Sequence, residues 1–77
     1  MTSEENGIMR DMFYYLRDHI DPPGIGTPEC EAFWIQAAKD LGAVSNTWKN
    51  HPLATYMLMA IYEYLEWKCK QKAGEPA

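Results

Sequence analysis

The sequence predicts an all-α fold: a compact bundle of three principal helices, at about residues 3–20, 28–41 and 52–71, plus a short helical turn near 45–49. Three observations carry this. Apolar residues recur at three- and four-residue steps in three separate segments. Each segment opens on a recognisable helix start. No stretch alternates apolar and polar residues as a half-buried strand does.

The first segment opens with Thr2-Ser3-Glu4-Glu5, a capping box in which hydroxyl and carboxylate exchange hydrogen bonds with backbone amides. Met9, Met12, Phe13, Leu16 and Ile20 form its expected inner stripe, flanked by Ile8 and Tyr15. Arg10, Asp11, Tyr14, Arg17 and Asp18 fall opposite. Asp21-Pro22-Pro23-Gly24-Ile25-Gly26 then stops the helix, because proline pushes Asp21 out of the helical region. Ile25, the connector's one large apolar residue, is expected to plug the helix ends.

Thr27-Pro28-Glu29 starts the second helix with a cap hydroxyl, a proline at the first position and an acid suited to the helix dipole. Cys30, Phe33, Trp34, Ala37, Ala38 and Leu41 make its stripe, and Ile35 lies off it. Gly42 reads as its stop. Val44 and Trp48 are expected to hold down the polar turn near 45–49. Asn50 or His51 caps the third helix, and Pro52 sits in its first turn. Lys68, Lys70 and Lys72 suit its C-terminal dipole, Gly74 ends it, and residues 72–77 make a frayed tail.

The third helix is apolar around more than half its circumference. Leu53, Met57, Ala60, Ile61, Tyr64, Leu65 and Trp67 form the expected main face, extended by Ala54, Leu58 and Tyr56. The polar arc is Thr55, Glu63, Glu66 and Lys70, with Met59 and Tyr62 among them. A bundle helix needs only an apolar stripe, so the central helix of a bundle accounts for most of this. The excess suggests a contact surface. Tyr56, Met59, Tyr62 and Trp67, joined by Tyr14 and Ile35, are the candidate partner-contact residues, since Met and aromatic side chains are favoured at such surfaces.

Composition bounds the function. Seventy-seven residues make one domain. Three Trp, five Tyr, two Phe and five Met argue against disorder. The net charge is −4, with seven acids and two arginines in residues 1–31, and four acids and five lysines beyond. An acidic first half lacks the basic footprint of a nucleic-acid binder. No run is long enough for a membrane span, and the N-terminus lacks a signal-peptide pattern, so the expected compartment is the cytoplasm with reduced thiols.

No catalytic motif is present. Cys30, Cys69, His19 and His51 show no paired metal-ligand spacing. Glu63 and Glu66 lack the histidine of a carboxylate metal site, and Gly24-Ile25-Gly26 has no strand before it. No enzyme, metal or cofactor is expected.

The ordered set Pro22-Pro23, Thr27-Pro28-Glu29, Phe33-Trp34, Asp40, Trp48, Asn50-His51-Pro52-Leu53-Ala54 and Tyr64-Leu65-Glu66 with Lys68 resembles small uncharacterised helical proteins of clostridial phages and mobile elements. The resemblance covers residues 20–70 and implies an accessory role toward a host or defence protein. It transfers no functional residue. The expectation is a small acidic protein–protein interaction module. The expected partner is a protein or a second copy of the chain, and the alternatives are a self-associating structural module and a helical binder of a nucleotide-like ligand.

Overall fold

The computed structural model describes residues 1–72 and is an all-α three-helix bundle. The expected Gly74 stop and residues 73–77 of the expected tail lie outside those residues; Lys72, also placed in that tail, is instead the last residue of the third helix. Helix α1 spans Ser3–His19, α2 Pro28–Thr47 and α3 Pro52–Lys72. Among the described residues there is no strand, and no helix is long and apolar enough to cross a membrane.

The capping box forms at α1. The Glu5 amide donates to Thr2 Oγ1 at 3.1 Å, and the Thr2 amide donates to Glu5 Oε1 at 2.8 Å. The Thr2 amide first, and then the Thr2 hydroxyl, hold the Glu5 carboxyl below the usual range. At α2 the cap differs from expectation. Thr27 has the extended backbone of a cap residue, but its hydroxyl donates backward to the Gly24 carbonyl at 2.9 Å, closing the connector. At α3, His51 is the cap: the Leu53 amide donates to His51 Nδ1 at 3.1 Å. That leaves Nε2 to donate to Glu4 Oε1 at 3.2 Å.

Helix α2 passes through Gly42 instead of stopping there, so the expected separate turn at 45–49 is absorbed into its C-terminal end. A glycine inside a helix costs about 1 kcal/mol. Continuing the helix carries Val44 and Trp48 onto the core, where they are partly buried; full burial of such side chains is worth about 1.5–3 kcal/mol each, so even half of that from two residues offsets the glycine. The helix therefore ends at Thr47. Lys49 and Asn50 follow in left-handed conformation, with φ of 52° and 57°, and the Asn50 amide donates back to the Ser45 carbonyl.

Glu4 meets His51 at one end, and Lys68 Nζ donates to the Ile20 carbonyl at 2.6 Å at the other. Helices α1 and α3 are thus parallel neighbours, and α2 runs antiparallel to both. The core contains Ile8, Met12, Tyr15, Ala54, Leu58 and Leu65, with Leu16, Trp34, Leu41, Val44, Trp48, Leu53, Met57 and Ile61 packed against it.

Helix α1 is rotated from its expected register. Ile8, Met12, Tyr15 and His19 point inward, while Met9 and Phe13 are 41% and 62% exposed. Polar ties to α2 fix that rotation. Tyr15 Oη donates to the Ala37 carbonyl at 2.8 Å, and Trp48 Nε1 donates to Asp11 Oδ2 at 2.9 Å. His19 places Nε2 2.8 Å from Asp40 Oδ2 and Nδ1 2.7 Å from the Tyr15 carbonyl, with its ring stacked on Tyr15. On α2, Ala37 is buried, Ala38 is exposed, and Cys30, Phe33, Trp34 and Leu41 are half-buried. On α3, the buried residues are Ala54, Leu58, Leu65 and Cys69, whereas Ala60, Tyr64 and Trp67 of the expected main face are exposed.

Candidate interaction surface

The six residues picked from the sequence do not form one patch. Five are exposed: Tyr56 at 73%, Met59 at 56%, Ile35 at 52%, Trp67 at 45% and Tyr14 at 44%. Tyr62 is half-buried, its ring edge-on to Trp34 at a centroid distance of 5.0 Å. The expectation that Tyr62 faces solvent is corrected: it closes the α2–α3 seam. Met59 lies on the α2-side flank of α3, Tyr14 on the α2-side flank of α1, and Ile35 on α2. Tyr56 and Trp67 share a face.

That face is the outer groove between α1 and α3, opposite α2. The contacts of each helix locate it. Gly7, Asp11, Tyr15 and His19 mark the α2 side of α1. Leu16 packs on the core toward α3, so Met9 and Phe13, next around the helix, line the outside of the α1–α3 seam. On α3, Tyr62 and Cys69 mark the α2 side, and Lys68 and Lys72 cross to the end of α1. Tyr64 lies beside Lys68, whose Nζ is 6.0 Å from its ring centroid, and Tyr64 stacks on Trp67 at 5.9 Å. Leu53, Met57, Ala60, Tyr64 and Trp67 follow one another at steps of four, three, four and three residues. This is the spacing of a seam that packs against another helix. Sequence reasoning placed Met9, Phe13 and Tyr64 in the core and so missed this face; the alternating four-three spacing was the signal that could have found it.

Two clefts flank α2. One, of about 350 Å³, lies between α2 and α3 and is lined by Ile25, Trp34, Tyr62, Glu66, Cys69 and Lys70. Ile25 is 45% exposed at its rim, so it borders the cleft instead of plugging the helix ends. Cys69 donates to the Pro23 carbonyl at 2.9 Å, and burial, with Cys30 beside it, pushes its thiol up from the ordinary cysteine value. A raised, buried thiol is a poor nucleophile. The second cleft, of about 380 Å³ between α1 and α2, holds Asp11, Asp18, His19 and Asp40. Hydrogen bonds from His19 and then Gln36 hold the Asp40 carboxyl below its ordinary range. Burial first, with Tyr62 and Asp40 nearby, pushes the Tyr15 hydroxyl up to about 12.

Among the described residues, no three His, Cys, Asp or Glu side chains gather as a metal site would require. His19 has one ring nitrogen within hydrogen-bond distance of the Tyr15 carbonyl and the other of Asp40, which also accepts from Gln36, so these residues tie α1 to α2. The arrangement offers shape and apolar area. The chain matches no protein-family model, no curated protein and no solved structure.

Proposed function

We propose that this chain is a protein–protein interaction module whose contact surface is the outer α1–α3 face. The observation that carries the reading is the exposed row Phe13, Tyr64 and Trp67, set on two parallel helices whose inner faces are already packed. Exposed apolar groups gathered on one face mark interaction sites. Helices hold such groups in fixed positions, which lowers the entropy lost on binding. The resemblance to phage and mobile-element proteins adds a proposed role toward a host or defence protein.

A photo-crosslinking amino acid at position 64, compared with one at exposed Lys39 on α2, tests the reading. Position 64 should give discrete protein adducts in cells and position 39 should not. No adduct from position 64, or the same adducts from both, would overturn it.

The α2–α3 cleft favours a second reading. Trp34 and Tyr62 offer aromatic surface in a volume suited to a small molecule. Nucleotides should then raise the melting temperature in a concentration-dependent way. If they do not, this reading fails.

A further inference from the structure

We infer that the occupant of the α1–α3 face is a second copy of this chain, related by a two-fold axis parallel to the helices, so that α1 of each copy lies over α3 of the other. The inference rests on the proposed contact surface and names its partner.

Area supports a self-partner. Phe13, Tyr56, Tyr64 and Trp67 are 62%, 73%, 46% and 45% exposed, and Met9 is 41% exposed. At 150–250 Å² for a whole aromatic, these side chains leave roughly 500 Å² of apolar surface per copy. An interface of standard size takes about 800 Å² from each partner, a little over half of it apolar. One copy therefore offers what one half of a stable dimer requires.

The edges of the face fix the orientation. Beyond the apolar strip, α1 carries Arg10 and Arg17, seven residues apart, and α3 carries Tyr56 and Glu63, also seven apart. The Glu4–His51 and Ile20–Lys68 contacts set the levels of the two helices. On that alignment Arg10 stands about level with Tyr56, and Arg17 about level with Glu63, within roughly two residues or ~3 Å of rise. A two-fold axis along the helices preserves these levels and exchanges the edges. Each Arg17 then faces a Glu63 of the other copy, and each Arg10 faces a Tyr56 ring, a cation–π arrangement. An axis perpendicular to the helices would instead set the arginine edge against itself. Arg10 and Arg17 are themselves exposed; they now pair with Asp11 and Asp18, and Arg17 lies over the Tyr14 ring at 4.8 Å, surface contacts weak enough to yield to a partner.

Sedimentation equilibrium of the full chain at micromolar concentration tests the inference. The parent should have twice the chain mass. Phe13→Glu combined with Trp67→Glu should give the monomer mass with unchanged helicity. Arg17→Glu alone and Glu63→Arg alone should each weaken association roughly tenfold, because symmetry reverses two pairs at once, and the combined variant should recover it. A monomeric parent overturns the inference, as does a dimer that survives the Phe13, Trp67 variant. If that variant unfolds, the charge exchange decides: failure of the combined variant to recover overturns the arrangement. A monomeric parent that still gives a position-64 adduct with a different protein overturns the second copy as occupant while leaving the contact surface in place.

Discussion

Trp48 sits over Gly7. A Cβ on Gly7 would stand 2.6 Å from Cη2 of the indole, while the indole Nε1 donates to Asp11 one turn further along α1. The ring is therefore fixed at its polar end and flush with backbone at its far end. Glycine at position 7 gives up helix propensity so that the last turn of α2 can close on α1. Gly7→Ala should destabilise the fold by about 1 kcal/mol, because overpacking of about 1–3 kcal/mol exceeds a propensity gain of about 1 kcal/mol. Denaturant unfolding measures this. In a Trp48→Phe background, where the smaller ring withdraws, the same change should be neutral or stabilising. Equal costs in both backgrounds would show that the two residues are not coupled.

Trp34 is half-buried, with edge contacts to Phe33 and Tyr62 at 5.0 Å each. Trp34→Ala should cost about 2–3 kcal/mol, less than the 3–5 kcal/mol of a fully enclosed aromatic. That is still a large share of the stability of so small a domain. A melting temperature within a degree or two of the parent would mean that the α2–α3 seam does not depend on this ring.

Four of the caps and breaks were legible in the sequence, because they rest on single residues with local geometry: Thr2 with Glu5, Pro22, Pro28 and His51 before Pro52. The rotation of α1 was not. Met9, Met12, Phe13 and Leu16 are as apolar as Ile8, Met12 and Tyr15, so hydrophobicity alone cannot separate two overlapping stripes. The deciding residue is His19, which continues the spacing of Ile8, Met12 and Tyr15 but is too polar to read as a core position. It is buried because each of its ring nitrogens meets a polar partner, the Tyr15 carbonyl or the Asp40 carboxylate. Gly42 misled for a similar reason: its cost is local, and the gain from Val44 and Trp48 lies on another helix. Excess apolar surface on α3 was legible, but its address depended on that same rotation of α1.

Tyr15 makes the fold sensitive to base. Its pKa is raised from 10.0 to about 12 by burial, so the folded state favours the neutral hydroxyl. The associated stability is fully present below about pH 10 and is lost as pH rises from there through 12. Melting temperature should fall over that window. Tyr15→Phe should flatten the fall at a cost of about 0.5–1.5 kcal/mol for the hydrogen bond to Ala37 at neutral pH. An unchanged alkaline limb would assign it to another group.

Asp40 acts at the acid end. Its pKa is lowered from 3.8 by the bonds from His19 and Gln36, so its contribution is present above that value and is lost as pH falls through the folded one. Asp40→Asn should lower the melting temperature at neutral pH and leave a shallower decline below about pH 4. If parent and variant decline in parallel, the His19–Asp40 contact does not contribute to acid stability.

Met59 and Tyr62 separate exposure from burial on one helix. Both look like contact residues on a polar arc, yet Met59 is 56% exposed while Tyr62 is half-buried against Trp34. Met59→Glu adds a charge in water and should move the melting temperature by no more than about a degree, as most surface changes do. Tyr62→Glu removes the ring that closes the seam and puts a carboxylate beside Glu66, which lines the same cleft. Its cost should be about 2–3 kcal/mol, from lost apolar burial and from a charge held where water is scarce. Neither change touches the α1–α3 face, so neither should alter self-association in any variant that stays folded. Loss of association in folded Met59→Glu would move the contact surface to the α2 side of α3.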